Sequence, residues 1–205
     1  MRSLPISGKG YPVPFFVAWI DGEPEFRVAD QRKFVLAVKK HLCWICGQVL
    51  GSHTHFLVGP MCTANRLSSE PPMHLACAEY ALLSCPFMMR PRAQRREANM
   101  PENKVAPGGL MVTRNPGVIV EWESRDWRIV KDPAGAPLID IGNPVAPPRW
   151  FTEGRLATRL EAVEAYEESC ETILDMARAE GEPAVRYAEQ RIMEARKFLP
   201  SEVTA

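Results

Sequence analysis

Cys43-Trp44-Ile45-Cys46-Gly47 and His74-Leu75-Ala76-Cys77, with 27 residues between Cys46 and His74, are the stretches on which the fold turns. Two thiolates at CxxC spacing can grip one metal ion from a tight turn, and Gly47 lets the chain double back after them. Glu70, Pro71 and Pro72 precede the second pair, which suits the start of a helix. Residues three apart share a helical face, so His74 and Cys77 can point at the same ion. One zinc ion held by Cys43, Cys46, His74 and Cys77 is therefore expected. Four protein ligands leave no open position for water, so this zinc would be structural rather than catalytic.

Other donors lie nearby. Cys85 is eight residues past Cys77, roughly 12 Å along a helix, too far for two sulfurs on one ion. Cys62, His53 and His55 remain as substitutes for one of the four ligands. The redox alternative asks for a CxxC at a strand end leading into a helix. Here Gly47 and an expected hairpin follow instead.

That hairpin is read from Gln48–Leu50, the turn Gly51-Ser52, and His55–Val58. Knuckle, hairpin, then a helix with ligands in its first turn resembles a treble-clef zinc finger over about 45 residues. The resemblance implies a fold and a metal, not an activity. A nuclease of the HNH type, built on a similar frame, would use His53 and His55 on the hairpin and Asn65 after it. The Asp-His pair typical of that group is Ser52-His53 here, and its final helical histidine is absent.

Outward from this module, Phe15–Ile20 reads as a strand. Asp21-Gly22 reads as a hairpin turn and Glu25–Val28 as the return strand. Asp30 is the expected N-cap of a helix to about His41, with Phe34, Val35 and Val38 on its apolar face. Residues 88–109 read as a basic linker. Three or four short strands are expected, at Leu110–Thr113, Val118–Trp122, Trp127–Val130 and Leu138–Ile141, separated by proline, glycine and asparagine turns. Thr158 and Glu161 form a capping box. The helix that follows presents Leu160, Val163, Tyr166, Cys170, Ile173, Leu174 and Ala177 on one face. Gly181 stops it, and Pro183 opens a second helix carrying Val185, Ala188, Ile192, Ala195 and Leu199. The expected class is α+β, in five parts: a hairpin and helix (1–42), the zinc module (43–87), the linker (88–109), a small β region (110–150) and a helical hairpin (151–205).

The 205 residues carry 25 basic and 25 acidic side chains, but residues 1–104 hold 13 basic against 8 acidic, and the remainder 12 against 17. No apolar signal region opens the chain, and no run approaches the 18 apolar residues of a membrane span. A cytoplasmic protein with no membrane partner is expected, and six cysteines in a reducing compartment favour metal binding over disulfides. P-loop, GxGxxG, HExxH and GxSxG motifs are missing, so the chain reads more as a binding protein than as an enzyme. Two partner classes follow. Arg90, Arg92, Arg95 and Arg96, extended by Lys39, Lys40 and Arg66, could meet phosphates, with Trp44 or Phe87 stacking on bases. A pI of about 6.9 is low for that role. Alternatively, the first C-terminal helix has seven acids and two bases between 159 and 180. It could act as an adaptor or inhibitor on a basic protein surface, with Trp122, Trp127 and Trp150 as candidate anchors.

The runs CWICG (43–47), FLVGPMC (56–62), NRLSSEPP (65–72), HLACAEYALLSCPF (74–87) and RWFTEGRLATRLE (149–161) are similar to an uncharacterised group of bacterial and phage-encoded proteins. That resemblance implies a small bacterial or phage protein and no activity.

Overall fold

The structure, a computed structural model, describes residues 4–91, 93, 94, 96, 98, 100 and 114–201. The expected strand at 110–113 and the residues Arg92 and Arg95 lie outside them. Strands β1 (Val17–Ile20) and β2 (Glu23–Ala29) pair as a hairpin. Asp21 and Gly22 take φ of 51° and 82° at its turn, the positive values a tight I′ turn needs. Asp30 caps helix α1 (Gln31–Lys40) by accepting from the Arg32 amide, and His41 closes it in the left-handed conformation. The buried face of α1 is Phe34 and Ala37, whereas Val35 is exposed. Val35 lies one position too far round the helix to reach the core.

The expected hairpin between Cys46 and His74 does not form. Val49 makes only an isolated bridge to Leu42. The strand β3 (Thr54–Val58) pairs instead with β5 (Ile119–Ser124), from the other side of the linker. Every residue of β3 is buried, and a strand covered on both faces needs a full partner rather than three residues of turn. A short helix α2 (Pro60–Asn65) follows β3, with Pro60 in its first turn. Then come β4 (Leu67–Ser68) and helix α3 (Leu75–Ser84).

Strands β6 (Arg128–Lys131) and β7 (Pro137–Asp140) match two expected strands closely and join β4 in an antiparallel sheet of order β4-β7-β6. Besides the short β4, two strands have no counterpart in the sequence reading. These are β8 (Arg149–Thr152) and β9 (Arg155–Leu156), which complete a sheet of order β3-β5-β8-β9. Their turn, Glu153-Gly154, has φ of 51° and 75° and makes the hairpin bend.

Helices α4 (Arg159–Glu180) and α5 (Glu182–Ala195) pack on each other and on α2, and a 3₁₀ turn (Arg196–Phe198) ends the described fold. The buried face of α4 is mostly small: Ala162, Ala165, Ser169 and Ala177 with Tyr166 and Cys170. Leu160 is 67% exposed, being in the first turn, where the helix has not yet met the core. Among the described residues no helix is long and apolar enough to cross a membrane.

The β3-β5-β8-β9 sheet divides two cores. Phe56, Val58, Val120, Trp122 and Trp150 face one way, into the core that α1, α4 and α5 complete. Leu57 and Ile119 face the other way, with Cys43, Ile45, Met73, Cys77 and the inner side of α3. Trp122 and Trp150 are 0% and 2% exposed, so neither can anchor a partner. Trp127 packs partly buried against the first core.

The α4 capping box is complete. The Thr158 hydroxyl accepts from the Glu161 amide at 3.3 Å, and the Glu161 carboxylate accepts from the Thr158 amide at 2.8 Å. Arg155, at 2.6 Å, leads in holding Glu161 down at about 2 from an ordinary 4.5, with the Thr158 amide assisting. Replacing Thr158 by Ala is expected to lower stability by about 1 kcal/mol, measured as a shift of the denaturant midpoint. A depressed folded pKa gives stability that is full above pH 4.5 and lost as pH falls towards 2. The wild type should therefore lose more stability between pH 5 and 3 than Glu161→Gln does, by an amount that solvent screening keeps small.

Candidate metal centre

Backbone geometry builds the knuckle first. The Gly47 amide donates to Cys43 O at 2.8 Å, and the Cys43 amide to Gln48 O at 2.7 Å. Gly47 has φ of 71°, and a Cβ there would lie 2.8 Å from the Phe15 ring, so both backbone and packing demand glycine. The knuckle is then clamped from two sides. Phe15 and Phe16 donate to Ile45 O and Trp44 O, and the Trp44 amide donates to Pro72 O at 3.0 Å. The next residue, Met73, exchanges two backbone hydrogen bonds with His55 of β3. These contacts place His74 at the N-cap of α3, and its side chain caps no helix amide.

The ligand atoms of Cys43, Cys46, His74 and Cys77 all lie within 4.8 Å of one another, and among the described residues they form the one group of three or more such donors close enough to share a metal ion. His74 Nδ1 lies 3.4 Å from Cys46 Sγ and 3.9 Å from Cys77 Sγ. His74 Nε2 lies 3.1 Å from the Val49 carbonyl. A carbonyl only accepts, so Nε2 carries the proton and Nδ1 offers a bare lone pair to the cluster. Around Cys43 a hydrogen bond from the Cys77 thiol, with backbone amides of Cys46, His74 and Ile45, outweighs burial and lowers the thiol to about 4. Cys77, the donor of that bond, is raised, and burial raises Cys46. Three adjacent sulfurs, two of them buried, cannot all ionise side by side unless a cation sits among them, so the donor set fits a thiophilic metal.

The substitutes considered from sequence are not brought to this cluster. Cys62 lies on α2, packs against the first core and is pushed up to about 11 by burial. Cys85 caps the far end of α3. His53 is engaged by Glu123 and Arg125, and His55 by Glu121 at 2.5 Å. Asn65 accepts from the Leu67 amide, so His53, His55 and Asn65 do not assemble a nuclease-like triad. The basic surface is also smaller than the sequence suggested. Arg90, Arg96, Lys39 and Lys40 are exposed, but Arg66 is 5% exposed. Its guanidinium stacks between Trp122 and Phe198 and donates to Asn143. Trp44 is buried, stacked on Phe16, and cannot receive a base. The sequence reading missed the Val49 carbonyl, which no side-chain pattern reveals, and the His55–Glu121 contact, whose one trace was the i, i+2 spacing of His53/His55 and Glu121/Glu123.

Compared with protein families, curated proteins and solved structures, the chain matches none. The bacterial or phage affiliation expected from the sequence gains no support from these comparisons.

Purified protein, desalted over a chelating resin, should retain about one metal ion per chain by mass spectrometry. Cys43→Ser/Cys77→Ser should retain none and unfold at lower denaturant. An unmutated protein with free thiols and no metal would dismiss the site.

Proposed function

We propose that the chain is a zinc-stabilised binding protein that recognises another protein. Its zinc closes the second core in the manner of a treble-clef knuckle and helix, the expected hairpin being replaced by β3 on the central sheet. Closed four-ligand coordination by three thiolates and an imidazole supports zinc and a structural role. One observation favours a protein partner over nucleic acid. Trp44, one of two groups that would stack on bases, and Arg66, which would join Lys39 and Lys40 in extending a basic strip, lie in the core, while the acids of α4 stand exposed at Glu164, Glu168, Glu171, Asp175 and Glu180. An acidic helical face of this kind is complementary to a basic protein surface.

Affinity purification with the intact chain as bait should recover a basic partner that Glu164→Lys/Glu171→Lys fails to hold, with zinc content unchanged. Binding to DNA or RNA at low salt should be absent. Nucleic-acid binding that weakens steeply with salt and is eased by Arg90→Ala/Arg96→Ala would overturn this reading in favour of the basic segment.

A further inference from the structure

On the face of the sheet that carries the second core, His55 of β3 and His53 just before it stand against Glu121 and Glu123 of β5. His55 and Glu123 are directly paired in register, so their side chains leave the same face about 5 Å apart at Cβ. Glu121 is two residues along, on the same face. With Arg149, Leu75, Ala146 and Pro147 these groups line a cleft of about 140 Å³.

The protonation pattern is set by chemistry. The residues His55 and Glu121 are 7% and 4% exposed. The Glu121 carboxylate accepts from His55 Nδ1 at 2.5 Å and from Arg149 Nε at 3.0 Å. A carboxylate only accepts, so His55 Nδ1 is a donor, and the neutral ring offers the lone pair of Nε2. Among the described residues nothing hydrogen-bonds to Nε2, and it is not one of the fully enclosed orphan atoms, so it is reached through the cleft that His55 lines. Arg149 does not make the cleft cationic. Its Nε is held by Glu121 at 3.0 Å and its Nη2 by Glu79 at 3.3 Å, which sets three carboxylates, with Glu123, against one guanidinium.

We propose that this cleft is a second, open divalent-metal site, in which His55 Nε2 and the Glu123 carboxylate are the protein ligands and water fills the remaining positions. An imidazole nitrogen beside a carboxylate, in a negative cleft, matches zinc and its first-row neighbours. Glu121 supplies the carboxylate that orients a metal-bound histidine through its other nitrogen. His53 donates from Nδ1 to Glu123 and orients that ligand in the same way. Two protein ligands make the site weaker than the cysteine cluster and leave room for an exchangeable small ligand on the ion. The site does not depend on the proposed protein-binding role.

The test is calorimetric titration of Zn²⁺ into the full chain already holding one zinc in its cysteine cluster. A second, weaker ion should bind. Glu123→Gln and His55→Gln should each weaken it by at least tenfold, and Glu121→Gln by roughly 10- to 100-fold, while each variant keeps its first zinc. Retention of the first zinc reports an intact fold. Should the buried His55 variant misfold, Glu123→Gln decides alone, because Glu123 lies near the surface. Absence of a second ion, or a second affinity that Glu123→Gln leaves unchanged, overturns the proposal.

Discussion

His55 and Met73 exchange two backbone hydrogen bonds, at 2.9 and 2.8 Å, and both candidate sites depend on that exchange. The strand β3 is the edge of its sheet, with a row of free amides and carbonyls that must be covered. The stretch 72–74 covers it and does two further things. Pro72 accepts from the knuckle at Trp44, and His74 turns its ring into the sulfur cluster. Three consecutive residues thus join the sheet edge, the knuckle and the start of α3. A slip of one residue would reverse the faces of His55 and Leu57 and carry His74 away from the thiols.

The sheet separates two cores of unequal strength. On one face Trp122, Trp150, Phe56 and Tyr166 interlock with the helical hairpin. Tyr166 donates to the Ile192 carbonyl and Trp150 to the Phe198 carbonyl, so these two side chains bury their polar tips with partners, whereas the Trp122 indole N–H is buried without one among the described residues. The other face has no aromatic ring among its buried members. It holds Leu57, Ile119 and the small face of α3 against the knuckle. Apolar burial there is modest, and a metal ion in the cysteine cluster would supply a link in place of the aromatic packing on the opposite side. The buried His55–Glu121 pair, with the half-exposed Arg149 on Glu121, lies on this weaker face too. Such a pair is tolerated because each buried charge has a hydrogen-bonded partner.

Local chemistry made much of the fold legible in the sequence. Asp21-Gly22, Asp30, Thr158 with Glu161, and Gly181 each act through their own backbone, and each stands where its chemistry predicts. The four metal donors were readable for the same reason, since the spacing within each pair is a local property. What was hidden is pairing at long range. Nothing in His55–Val58 says that its partner is Ile119–Ser124 rather than the nearer Gln48–Leu50, so a hairpin was expected where a single bridge stands. The turn Glu153-Gly154 was missed because glutamate rarely takes a positive φ, and the strands on either side are short. Arg66 shows the same limit. Its charge suggested a surface, but two aromatic rings distant in sequence enclose it.

Burial of the sulfurs ties the two levels together. Cys43 and Cys77 are 0% and 7% exposed and belong to the second core as much as to the cluster. Without a cation they divide one proton, lowering Cys43 and raising Cys77, and the cluster cannot carry the full charge of three thiolates. With a divalent ion the same sulfurs become a neutralised link between the knuckle and α3. The metal's binding energy is then folding energy for this face of the sheet and for the segment that covers β3. The aromatic core on the opposite face contains none of the ligands. Metal loss therefore acts first on α3, the knuckle and the His55 cleft, and reaches α4 and α5 only through the sheet that both cores share.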